Sequence, residues 1–305
     1  MAHLSAVLAT THHPFFYKAT ELTPVEEQMP QAAEWKAKVE AYRETFTAAE
    51  PDILVMVGSD HFHQFFYDNY PTFLIGRQPR YDATFYNEVR EFSMPTYELE
   101  GHVEFSSYML QGLLDRGFDF SVSSELKIDH SIICPIITTR PQADLPVVPI
   151  YTNIFAPPLP SPKRFYDLGR AIREVIDAWP GDQRVAAIGS GHLSLELGGP
   201  RMFGEHGPDP EWDLQAIEWL ATGDIEAILE NVTWESMVKS GNATPGFLDL
   251  ILMLGIAGPE KAAYVDDLDL YHTREMYMTW YPNGDPREQA AAADASAESR
   301  EAVSA

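Results

Sequence analysis

The sequence predicts an α/β fold, with a central and mostly buried sheet flanked by helices. Three observations predict it. Short apolar runs end in Gly, Ser, Asp or His, and longer segments with helical periodicity separate them. A chain of 305 residues with 45% hydrophobic content can also bury one sizeable core.

Taken in order, the apolar runs Leu4–Thr10, Ile53–Gly58, Phe118–Ser123, Val147–Asn153 and Val185–Ile188 read as strands. Helices fit Ala33–Ala48, Arg164–Trp179, Glu211–Leu220 and Phe247–Leu254. In the second helix Phe165, Leu168, Ile172, Val175 and Ile176 recur at helical spacing behind a Ser161-Pro162 cap. No internal repeat and no Pro-rich or Ser-rich linker divides the chain. Residues 1–284 are therefore expected to form one domain, and 285–305, rich in Ala, Glu and Ser, a disordered tail.

A net charge of −25 opposes binding to nucleic acid or to anionic membranes, because such a surface repels phosphate. The single cysteine, Cys134, rules out an internal disulfide framework and suits a reducing compartment. It reads as an ordinary buried apolar residue. No stretch approaches the roughly 20 apolar residues of a membrane span, and the N-terminal run is short and lacks a basic segment. A soluble cytoplasmic protein is expected. The run Asp266-Asp267-Leu268-Asp269 lacks the spaced ligands of a calcium loop and reads as a solvated turn.

The ten histidines are informative by position. Thr11-His12-His13-Pro14 follows the first strand, Ser59-Asp60-His61-Phe62-His63 follows Ile53–Gly58, and Gly191-His192 follows Val185–Ile188. The carboxyl ends of strands are where open α/β sheets bind ligands. Neutral imidazole suits divalent iron, zinc or manganese, so these strand-end histidines, His12, His61 and His192, are candidate metal ligands. Asp60 has two readings, as the carboxylate that orients a ligating ring or as the cap of a strand-end turn. Asp129-His130, ahead of an apolar segment, is a candidate acid/base pair. His3, His102 and His206 read as ordinary surface or core residues. Phe15, Phe16, Phe62, Phe65 and Phe66 are candidates for an apolar pocket wall or for core filler.

In order and spacing these landmarks resemble the class III extradiol ring-cleavage dioxygenases, the family that includes the catalytic subunit of protocatechuate 4,5-dioxygenase. The resemblance runs from His12 to about Tyr271-His272. It is carried by Thr11-His12-His13-Pro14, Asp60-His61, Pro71-Thr72-Phe73-Leu74-Ile75-Gly76, Asp129-His130, Gly189-Ser190-Gly191 with Gly199-Pro200-Arg201, and Ser240-Gly241 before Met253-Leu254-Gly255. It implies iron(II) held at His12 and His61, acid/base chemistry at His130, and cleavage of a small aromatic diol or aminophenol by dioxygen.

Two departures stand out. The family's third ligand, a glutamate, falls in the column that here holds Gly246, within a segment Asn242-Ala243-Thr244-Pro245-Gly246 that has no carboxylate. Thr244 as N-cap with Pro245 at the first position argues that the helix still begins there. The family's other catalytic histidine falls at Leu195, whereas His192 stands where glycine is usual, so His192 is a candidate for proton transfer, with a structural role as the alternative. Asn242, Asp249, His192, water or an anion remain open as the third ligand.

Three functions compete. The first is an extradiol dioxygenase with an atypical site, the second a metal-dependent enzyme of another reaction class on the same fold, and the third a non-catalytic subunit of a two-component dioxygenase. The resemblance further implies a homo-oligomer, such as a dimer, and allows a small partner subunit.

Overall fold

The computed structural model describes residues 3–202, 207–270 and 273–288. His206, Tyr271-His272 and the part of the expected tail at 289–305 lie outside the described residues.

The strands are β1 (His3–Thr11), β2 (Ile53–Gly58), β3 (Phe73–Gly76), β4 (Arg80–Ala83), β5 (Tyr97–Glu100), β6 (Ser121–Ser123), β7 (Val147–Thr152), β8 (Arg184–Gly191), β9 (Tyr264–Leu270) and β10 (Thr273–Trp280). The helices are α1 (Phe15–Tyr17), α2 (Ala32–Ala48), α3 (Tyr86–Phe92), α4 (Val103–Asp115), α5 (His130–Thr139), α6 (Pro162–Ala178), α7 (Pro210–Thr222), α8 (Ile225–Asn231), α9 (Trp234–Ser240) and α10 (Phe247–Ala257). Among the described residues eight strands make one sheet, in the order β6-β3-β7-β2-β8-β1-β10-β9, while β4 and β5 pair separately.

The centre of the sheet is parallel. β8 lies between β2 and β1, with Ile188 opposite Met56 on one side and Leu8 on the other. All six residues of β2 are buried, as a strand covered on both faces requires. Successive side chains enter different cores. Val7, Ala9, Val55 and Val57 pack with α4, α6 and α10, whereas Ala6, Leu8, Leu54 and Met56 pack with α2 and α5. Each fully buried Leu, Ile or Val side chain contributes about 1.5–3 kcal/mol, so this alternation fixes the sheet between two helical layers. The predicted α/β class is the observed one.

Ser161 caps α6 as read from the sequence, its side chain accepting from the Arg164 N–H. Helix α10 is buried along its whole length, which explains its uniformly apolar sequence.

Several expectations need correction. The strand expected at Phe118–Ser123 is confined to Ser121–Ser123. Thr244 does not cap α10: it begins a 3-10 turn, Thr244–Gly246, and its hydroxyl accepts from the Leu195 N–H at 3.2 Å. The acidic run Asp266-Asp267-Leu268-Asp269 is not a turn. It lies within β9, where Arg274 of β10 pairs with Asp267 and Asp269, and Lys38 with Asp266. His102 caps α4, its Nδ1 accepting from the Phe105 N–H.

Candidate functional site

The parallel centre of the sheet delivers three imidazoles to one end. His12 follows β1, His61 lies three residues after β2 and His192 follows β8, so three neighbouring strands present them side by side. A fourth, His130, opens α5. The ring centroids of His12 lie 5.1 Å from His61, 5.4 Å from His130 and 4.2 Å from His192. His61 and His130 are 4.0 Å apart.

The protonation of two rings follows from their partners. The Ser190 hydroxyl donates to the Ser131 carbonyl, so it accepts from His12 Nδ1–H at 2.8 Å. The Asp129 carboxylate accepts from His61 Nδ1–H at 2.9 Å. In its neutral form each imidazole therefore carries its proton on Nδ1 and a lone pair on Nε2. These two Nε2 atoms face each other at 3.2 Å. With no proton between them the contact is repulsive, and a cation shared by both relieves it. Ligand nitrogens about 2.1 Å from one ion have comparable separations. The residues fit a metal.

Burial, followed by the neighbouring histidines, lowers the His12 pKa well below the usual imidazole value, and the same order of causes lowers that of His192. Both rings are thus neutral, the form that binds metal or accepts a proton.

Asp129 caps α5 and also accepts from the Ser131 and His61 backbone N–H groups, the Ser131 hydroxyl and the Tyr151 hydroxyl. Burial would raise its carboxyl, but the interaction with His61 outweighs it and keeps it well below the usual range. Asp129 therefore orients His61, the part offered to Asp60. Asp60 instead takes the backbone N–H groups of His63, Gln64 and Phe65, so its capping reading is the correct one.

Asp129 and His130 do not pair with each other. His130 Nδ1 donates to Glu88 at 2.6 Å, and the backbone N–H of His130 reaches the same oxygen at 2.8 Å. His63 Nε2 stands 3.3 Å from that oxygen, its ring stacked on Phe85. Burial would raise the Glu88 carboxyl, but hydrogen bonds from His130 and His63 bring it down to about 2. The sequence reading missed Glu88 and His63. The signal for His63 was its place two residues after His61; nothing local marked Glu88, which comes from α3.

The candidate third ligands fare differently. The Asn242 amide exchanges both its hydrogen bonds with the Leu197 backbone, so its oxygen is committed elsewhere. Asp249 accepts from Ser59 at 2.8 Å and Thr152 at 2.5 Å, and burial pushes its carboxyl up to about 7. His192 fills the space beside Gly246: a Cβ at position 246 would lie 2.6 Å from its Cδ2. The loop carrying His192 is held by Asp213, which takes the Ser194 N–H and hydroxyl, and by Thr244.

Of the expected aromatic wall, Phe62 packs on Phe155, which stands 4.9 Å from His61. Phe92 lies 6.2 Å from His130. Phe16 packs into the core against Trp35, and Phe66 is exposed. Cys134 is half-buried against the core on the α2 side. Among the described residues no helix is long and apolar enough to cross a membrane.

The family described as the catalytic LigB subunit of aromatic ring-opening dioxygenase matches residues 6–277. A 2,3-dihydroxyphenylpropionate/2,3-dihydroxicinnamic acid 1,2-dioxygenase of Photorhabdus laumondii is 31% identical over 168 residues, 55% of this chain and 50% of that protein. One of that name from Rhodococcus rhodochrous is 24% identical over 291 residues, 89% of this chain and 82% of the relative. A gallate dioxygenase of Pseudomonas putida is 27% identical over 158 residues, 51% of this chain and 45% of the relative. The chain thus spans about half the length of several curated relatives it matches. In fold it is similar to a crystal structure of an uncharacterized Escherichia coli K12 protein, with a TM-score of 0.56, 14% identity, and coverage of 90% of this chain and 99% of the other.

Proposed function

This chain belongs to the family of catalytic LigB subunits of aromatic ring-opening dioxygenases, and from that premise we propose that it cleaves a small aromatic diol or aminophenol with dioxygen, using iron(II) held by His12 and His61. The observation that carries this reading is the pair of Nε2 atoms facing each other at 3.2 Å. A bound divalent metal would supply the open positions for substrate oxygens and for dioxygen.

The protein's own groups do the rest. Ser190 and Asp129 hold the two rings in the tautomer that turns lone pairs inward. Phe62 and Phe155 offer an apolar face beside His61, suited to an aromatic ring. A hydroxyl of the substrate loses its proton on binding, and a neutral imidazole beside the pair, His130 or His192, accepts it. Burial, the first cause in each case, keeps both of those rings below the usual imidazole pKa and so uncharged. A cytoplasmic setting is part of the proposal, supported by the lone Cys134, and so is a homo-oligomer, which the sequence resemblance supports.

The test is anaerobic loading of the chain with iron(II), followed by a panel of catechols and aminophenols in air. Oxygen uptake matched to a yellow ring-fission product is the expected result. Stoichiometric iron with no oxygen uptake on any diol or aminophenol would sink the reaction assigned here.

A further inference from the structure

His12 and His61 leave a metal site incomplete, and the structure shows what lies next to them. His12, His61 and His130 each offer a ring nitrogen, and these three nitrogens lie within 4.8 Å of one another. Among the described residues no carboxylate shares a ligand group with His12 and His61. Position 246 is glycine, with the His192 ring packed against it. Asp249 and Asn242 are bound to Ser59, Thr152 and Leu197.

The outer nitrogens repeat one pattern. His12 Nδ1 is held by Ser190, His61 Nδ1 by Asp129, and His130 Nδ1 by Glu88. With its proton committed to Glu88, His130 presents Nε2 as a lone pair, as the other two rings do. The three rings crowd together, their centroids 4.0–5.4 Å apart, and each is fixed from behind by a buried acceptor. Rings so oriented and made more basic by a carboxylate are the usual companions of a bound metal.

We propose that His130 is the third metal ligand, so that this chain holds its metal through three imidazoles, with the carboxylates of Asp129 and Glu88 hydrogen-bonded behind two of them. The proposal rests on the reading of His12 and His61 as ligands and narrows the roles of the other two histidines. His192 is left as the imidazole that accepts a proton. Three neutral ligands leave the full charge of a divalent ion, which two anionic carboxylates at the outer nitrogens offset. A substrate that chelates through deprotonated oxygens finds a more strongly electropositive centre here than beside a directly bound carboxylate.

The experiment is an anaerobic titration of the full-length apoprotein with Co(II), followed by the visible bands of the bound ion. In wild type the expected result is one equivalent bound. His130→Ala is expected to bind Co(II) about 100-fold more weakly or worse, since loss of even an outer partner of a ligand costs about 10–100-fold. Added free imidazole should restore the wild-type bands. Co(II) binding by His130→Ala with wild-type affinity and wild-type bands overturns the proposal. Should circular dichroism show that His130→Ala does not fold, Glu88→Gln decides, because it keeps the ring. Weakening by about 10–100-fold supports the assignment, and unchanged affinity overturns it. His12→Ala is the control for the underlying reading: if it keeps full Co(II) affinity, the metal site itself is misplaced, whatever His130 does.

Discussion

The carboxylate of Asp129 takes two hydrogen bonds from one residue, His61: the backbone N–H at 3.0 Å and the ring Nδ1–H at 2.9 Å. Main chain and imidazole are thus fixed by a single buried acceptor, itself set by the N-terminus of α5 and Tyr151. The ring of His61 cannot turn without breaking the second of these bonds.

Asp129→Asn keeps the shape but removes the charge behind the ring. Metal affinity should fall by about 10–100-fold, measured by competition with a chromogenic chelator. An unchanged affinity would show that the ring is oriented by packing alone.

His12→Ala and His61→Ala should each abolish metal retention through gel filtration, whereas His192→Ala should retain the metal and lose turnover. Metal analysis of the three purified variants checks this. Loss of metal from His192→Ala alone would transfer the ligand role to that residue.

Gly246→Ala places a Cβ 2.6 Å from Cδ2 and 3.0 Å from Cβ of the buried His192. Overpacking of this kind costs about 1–3 kcal/mol, read as a lower urea midpoint. His192→Gly in the same chain should relieve it, with a coupling of about 0.5–3 kcal/mol in the double-mutant cycle. Additive effects would show that the two positions do not compete for one space.

Glu275 is fully buried on β10, held by the Thr11 hydroxyl at 2.8 Å, and burial pushes its carboxyl up to about 8. Below about pH 4.5 the group is protonated in folded and unfolded chain alike, and its contribution to stability is complete. Between there and about pH 8 the folded chain keeps a proton that the unfolded chain has lost. Stability therefore falls as pH rises, by at most about 1.4 kcal/mol per unit. Glu275→Gln should flatten that slope, so its advantage over wild type grows from about pH 5 to about pH 8 in denaturant melts. A constant difference would mean that the carboxyl ionises normally inside the fold.

The fold class and the main elements could be read from local pattern because burial on both faces of β1, β2, β7 and β8 leaves continuous apolar runs. β9 and β10 escaped that reading. Arg274 pairs with Asp267 and Asp269 across the strand pair and Lys38 of α2 with Asp266, and such pairing between neighbours in space has no signature along the chain. The short strands β3 to β5 gave too few residues for a period to show.

The candidate site divides in the same way. His12, His61 and His192 stood out because strand ends are marked by sequence, and the order of β2, β8 and β1 places them together. Their partners were set by folding. Asp129 stands beside His130 in the chain yet serves His61, and His130 is served by Glu88, 42 residues earlier. Chain neighbours at a helix N-terminus point in different directions, so adjacency could not reveal those pairings. Residue types and strand termini thus belong to local chemistry, whereas the tautomer of each imidazole, and hence what it can bind, depends on acceptors brought to it only when distant segments pack.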